Sequence, residues 1–97
     1  MKRIDLSNYA PSISEKEDGQ SIYNMITQAN PRINIVEIDM SSIKAMATFC
    51  AKQIFGNLYI ELTADVFYKN IKIIGASKNV KLSIQLGIEG ALITRTV

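Results

Sequence analysis

The residues of this sequence able to do chemistry gather in one short stretch. Asp39 closes an apolar run, Ser41 and Ser42 follow it, and Thr48 and Cys50 lie a few residues further on. A carboxylate among hydroxyls can serve as a general base, a metal ligand or a neighbour to a phosphoryl acceptor, and a thiol in the first turn of a helix can be activated by the helix dipole. Each group also has a plainer reading. Hydroxyls after a strand mainly satisfy nearby backbone groups, and a Thr at a helix start meets the free N–H groups there. Asp39 has no second ligand beside it by spacing, so its role is read as structural, fixing the loop that follows. Cys50 is read as a small packed thiol.

What is absent narrows the chemistry further. The 97 residues contain no histidine, which removes Ser-His-Asp and Cys-His nucleophiles and His-based zinc sites. A single cysteine can make neither an internal disulfide nor a thiolate cluster, and fits a reducing cytoplasm. Gly87 and Gly90 have the wrong spacing for a phosphate-binding or dinucleotide loop, so no cofactor is expected. Eleven basic and nine acidic residues leave a net charge of +2, scattered without a block, which argues against nucleic acid. The stretch Met1 to Asn8 lacks the apolar run of a signal peptide, and no segment approaches the roughly 18 apolar residues of a membrane span. With 47% apolar and 21% charged residues, the expectation is a cytoplasmic, non-enzymatic protein folded as one domain over residues 1–97.

The elements that must position these groups follow from periodicity. Lys2 to Leu6 alternates and suits an opening strand, and residues 7–18 form a polar loop in which Ile13 anchors a short edge strand. Asp18 and Gly19 signal a helix whose stripe is Ile22, Met25, Ile26 and Ala29, stopped by Asn30-Pro31. Ile33, Ile35, Val36 and Ile38 read as a central strand closed by Asp39. After a loop from Met40 to Met46, the spacing of Ala47, Ala51, Ile54, Phe55, Leu58 and Leu62 predicts a long helix. Gly56 inside it marks a close approach to the sheet. Thr63 to Asn70 reads as a connection, and Ile71, Ile73 and Ile74 as a third buried strand. From Val80 to Ile88 the pattern alternates like a strand, yet Val80, Ile84, Ile88, Ala91 and Leu92 also share a helical face. A length of about 17 residues and Ser77 as N-cap favour the helix. The sum is an α/β fold, a small and largely parallel sheet of three or four strands covered by three helices. Its functional edge is expected at the carboxyl ends of the strands, where Asp39, the 41–46 loop and Thr48 fall.

The landmarks Ile13-Ser14-Glu15-Lys16-Glu17-Asp18-Gly19, Ile35-Val36-Glu37-Ile38-Asp39, Ala47-Thr48-Phe49-Cys50 with Phe55-Gly56, and Ile71-Lys72-Ile73-Ile74-Gly75 resemble those of the bacterial STAS-like domains. These are compact relatives of the sulfate-transporter and anti-sigma-factor-antagonist fold, and the resemblance covers about residues 10–93. It implies a regulatory, non-catalytic binding module. In the better-known relatives the antagonist docks on an anti-sigma factor that is a GHKL-type ATP-binding kinase, and a Ser or Thr at the start of the helix after the central strand is phosphorylated to break the complex. By position Thr48 inherits that role, with Ser41 and Ser42 as alternative acceptors. The pattern departs from the antagonists, because Asp-Ser-Ser-Gly or its equivalent reads Ala47-Thr48-Phe49-Cys50 here.

The expected docking surface is Ser41, Ser42, Met46, Thr48, Phe49 and Lys52. A second reading is a homo-oligomeric structural or adaptor module without a phosphoswitch, which uses a sheet edge or the terminal helix for self-association, since a second apolar face on the segment Val80 to Ile88 would need covering.

Overall fold

The computed structural model describes residues 1–95. Strand β1 (Lys2–Asp5) is followed by a 3-10 turn (Ser7–Tyr9), the short strand β2 (Ser12–Ile13) and helix α1 (Lys16–Gln28). Strand β3 (Val36–Asp39) and the short β4 (Ala45–Met46) lead into a long helical run. That run comprises α2 (Thr48–Ala51), a π-helical segment (Lys52–Gly56) and α3 (Asn57–Asn70). Strand β5 (Ile71–Ile74) and helix α4 (Lys78–Arg95) follow.

The main sheet is three-stranded and parallel in the order β1-β3-β5, so β3 is central as its β-branched run predicts. Ile4 pairs with Ile38 and Ile38 with Ile73. β2 and β4 form a separate parallel pair through Ser12 with Ala45 and Ile13 with Met46. Both crossovers of the main sheet step the same way across it, and right-handedness then puts their helices on one face. Burial agrees: Val36 and Ile38 are sealed in the core, whereas Glu37 and Asp39 reach the opposite side. There Arg3 bridges both carboxylates, at 3.3 Å from Glu37 and 2.8 Å from Asp39. The covered face packs Ile22 and Ile26 of α1, Ile54 and Phe55 of the π segment, Leu58 of α3 and Val80 of α4 into one core.

The terminal segment is helical, as its length requires: Ser77 caps it, its Oγ accepting from the Val80 N–H at 3.2 Å. Four expectations need correction. Helix α1 begins at Lys16, ahead of Asp18 and Gly19. Glu17 and Asp18 therefore sit inside the first turn, where the helix dipole favours them. Ile33 and Ile35 lie before the central strand, 77% and 42% exposed. The amides of Ile33 and Asn34 both donate to the Asn30 carbonyl, which holds them in a turn, while the Ile35 carbonyl accepts from the Lys2 amide at 2.8 Å just ahead of the strand. Residues 63–70 are helical, although Thr63 breaks the ladder with φ 71° and ψ 161°. The helix resumes because Phe67 and Asn70 are buried; Asn70 Nδ2 donates to the Pro31 carbonyl at 2.7 Å and ties the end of α3 to the loop after α1.

The fourth correction concerns Gly56, whose close approach is to α4 and away from the sheet. A Cβ on Gly56 would stand 2.7 Å from the Ala91 Cβ, and one on Gly87 would stand 2.6 Å from the Lys52 backbone nitrogen. Two helices this close leave no room for side chains at the crossing, so glycine is dictated on both. The π-helical segment falls at the same place.

Candidate functional site

The carboxyl edge of the sheet is built by a loop fastened at both ends and in the middle. The Met40 amide donates to the Ile74 carbonyl at 2.8 Å, the Lys44 amide to Pro11 at 2.7 Å and the Ala47 amide to Ile13 at 2.8 Å. Asn79 Nδ2 from the start of α4 adds a bond to the Lys44 carbonyl at 3.0 Å. Asp39 organises the turn that follows it: its Oδ1 accepts from the Ser41 amide at 2.9 Å and from the Ser41 hydroxyl in a short bond. Those two Ser41 bonds, and then Arg3, hold the Asp39 carboxyl below its ordinary pKa. Gly75 lies against this turn with φ 74°, and a Cβ there would meet the Ser41 Oγ at 2.6 Å. Glycine at the end of β5 is thus required by backbone and space together.

Four residues of the expected surface are exposed on this loop and the helix start that follows it. Ser41 and Ser42 are exposed in the turn, Thr48 is exposed at the first position of α2, and Phe49 beside it is 54% exposed. The N-cap position belongs to Ala47, whose side chain has nothing to cap with, and the Thr48 hydroxyl has no hydrogen-bond partner among the described residues. The remaining two members of the expected surface lie elsewhere. Met46 is in the core at 4% exposure, because its pairing with Ile13 turns it inward. Lys52 is half-buried and its Nζ donates to the Thr94 hydroxyl at 2.9 Å, bridging the π segment to α4.

Cys50 points inward from the same turn. It is fully buried, with its Sγ 3.6 Å from the Glu15 carbonyl oxygen, and burial, then Asp18 and Glu15, push the thiol pKa up. Dipole activation of this thiol is therefore overruled by desolvation and two nearby carboxylates.

Several features had little signal in the sequence. Tyr23 of α1 donates a short hydrogen bond to Glu61 of α3, and burial, reinforced by that carboxylate, pushes the phenol pKa up to about 12. Tyr59, Phe67 and Tyr68 cluster with centroids 5.3 to 5.8 Å apart, Tyr68 edge to face with both partners and Tyr59 tilted on Phe67. With Ile73, Ile84 and Ile88 they line a groove of about 640 Å³ between α3, β5 and α4, which shares no residue with the Thr48 edge. A glycine directly after an Ile-rich strand was the one available hint for Gly75. Among the described residues, no group of three or more His, Cys, Asp or Glu could hold a metal ion, and no helix is long and apolar enough to cross a membrane.

A one-sided parallel sheet, helices on the other face, and an exposed helix start at the strands' carboxyl edge define an α/β domain of the STAS-like class. A family model described as a STAS-like domain of unknown function (DUF4325) matches residues 18–81, and the chain belongs to that family. Neither the curated proteins nor the solved structures include a significant match to the chain. STAS-like domains are generally non-catalytic, and a regulatory or interaction role is what the family suggests.

Proposed function

We propose that the chain is a regulatory docking module whose contact surface is the first turn of α2 with the preceding turn: Ser41, Ser42, Thr48 and Phe49. The observation that carries this reading is Phe49, an aromatic ring more than half exposed on a rigidly anchored helix start. Aromatic side chains are favoured anchors at protein interfaces, because they bury a large area at small entropic cost. The partner is an ATP-binding protein of the GHKL kinase or anti-sigma type, by the family likeness set out above. Thr48 is the phosphoacceptor: its hydroxyl is exposed beside Phe49. A phosphate at a helix start gains about 0.3 to 2 kcal/mol from the dipole and the free amides, whereas desolvating it in an interface costs about 2 to 5 kcal/mol. The second figure is the larger, so modification releases the partner without unfolding the domain.

The test is capture from source-cell lysate on three baits, wild type, Phe49→Ala and Thr48→Glu, each first shown to be folded by circular dichroism. An ATP-binding kinase-like protein held by the wild type and lost from both variants is the expected result. Retention on Phe49→Ala would overturn the docking surface, and retention on Thr48→Glu alone would overturn the switch.

A further inference from the structure

Helix α4 has a second face that its packing on the π segment leaves outside. On it Lys81, Gln85 and Glu89 are exposed at i, i+4 and i+8, one ridge spanning about 12 Å at 1.5 Å per residue. Leu82 and Leu86 run beside this ridge, 53% and 43% exposed. Single exposed leucines are ordinary, but two on successive turns of one ridge form a continuous apolar strip. The charges at the two ends of the ridge are opposite. Neither has an ionic partner: among the described residues the ion pairs are those of Arg3 with Glu37 and Asp39. Glu89 accepts only the Gln85 amide, at 3.1 Å.

This pattern is its own complement. When two copies of α4 are laid antiparallel about a two-fold axis through Gln85, Lys81 of each faces Glu89 of the other, and the leucine strips meet alongside. A two-fold interface uses the same patch on both copies, so a patch must carry both signs, symmetrically placed, to satisfy itself. A ridge with like charges at both ends would repel its copy. We propose that the outer face of α4 is a homodimer interface, its occupant a second copy of this chain, with two reciprocal Lys81 to Glu89 ion pairs flanking Gln85 and the Leu82 and Leu86 strips buried. The proposal is independent of the docking reading, since it shares no residue with Ser41, Ser42, Thr48 or Phe49.

The experiment is sedimentation equilibrium of the full chain from low to high micromolar concentration, with three variants checked for native circular dichroism. Wild type dimerises. Lys81→Glu places like charges at both ends of the interface and raises the dimer dissociation constant by about tenfold or more. Lys81→Glu combined with Glu89→Lys exchanges the charges and restores the dimer to within about threefold of wild type, because the reciprocal pairs re-form reversed. Leu86→Glu abolishes it. A wild type that stays monomeric throughout overturns the proposal and leaves the face to a different partner. A dimer indifferent to Lys81→Glu, or a double exchange no better than the single variant, overturns the antiparallel arrangement just as directly.

Discussion

Thr63 offers a direct probe of how this helical run is held. Its φ of 71° and ψ of 161° lie in a region that is essentially reserved for glycine, and a β-branched side chain makes the conformation worse. Residues in such regions cost about 1 to 3 kcal/mol, tolerated when the surroundings fix the backbone. Here Leu62 on one side and Phe67 on the other are buried, so the break resets the helical phase to bring both inside. The Thr63 side chain itself is exposed and contributes little packing. Thr63→Gly therefore removes the strain and pays only the glycine entropy of about 0.5 to 1 kcal/mol. The net expectation is stabilisation of about 1 kcal/mol, within a range of about 0 to 2.5 kcal/mol, an increase in Tm of several degrees for a chain of this size. Thr63→Ala keeps a Cβ and gives no such gain. Urea unfolding followed by circular dichroism checks both variants. A glycine variant less stable than wild type, or an alanine variant equally stabilised, would refute the strain argument.

Two pH dependences follow from the ionisable groups. The Asp39 pKa is lowered in the folded state by the Ser41 hydroxyl and amide and by Arg3, so its contribution is present above the ordinary carboxylate pKa of about 4 and lost as pH falls through the lower folded value. Asp39→Asn should flatten the acid limb of the stability profile, measured as the urea midpoint against pH. Tyr23 is the opposite case: its folded pKa of about 12 exceeds the unfolded value near 10, so its contribution is complete below about pH 10 and disappears as pH rises through 12. Tyr23→Phe should remove from the absorbance titration a phenolate that forms near pH 12, and loss of one that forms near about 10 instead would show that Glu61 does not hold the ring.

How much of this was legible depended on whether burial had a local signature. The strands at Val36 to Ile38 and Ile71 to Ile74 announce themselves by their dense β-branched runs, whereas the helix from Val80 needed its length and the Ser77 cap, because its period also fits a strand. Residues 63–70 did not, since the break at Thr63 shifts the phase and splits one apolar stripe into two short ones. Ile33 carries strand composition but is claimed by the Asn30 turn, and Ile35 meets β1 only through its carbonyl, a competition that propensity alone cannot decide. Gly56 was recognisable as a close approach, while its partners, Gly87 and Ala91, lie 31 or more residues away and are joined to it only by tertiary packing. Of the candidate surface, Ser41, Ser42, Thr48 and Phe49 are exposed on a loop and helix start pinned by Pro11, Ile13 and Asn79, contacts no local pattern encodes.

Lys52 shows why exposure must be argued through the tertiary structure. Counting along α2 from Thr48 puts Lys52 one turn below on the same face, the natural cationic neighbour to a docked partner. The close crossing of the π segment with α4 intervenes. The Lys52 stem lies against Gly56 and its amine reaches Thr94, so the charge is committed to bracing two helices. A charge reversal at Lys52 would remove that brace, so a loss of partner affinity in this variant would not by itself place Lys52 at the partner. Phe49→Ala removes an exposed ring and leaves the crossing intact. Loss of binding in Phe49→Ala at unchanged stability therefore identifies the docking surface, whereas the same loss in Lys52→Glu would report only on how firmly α4 is held.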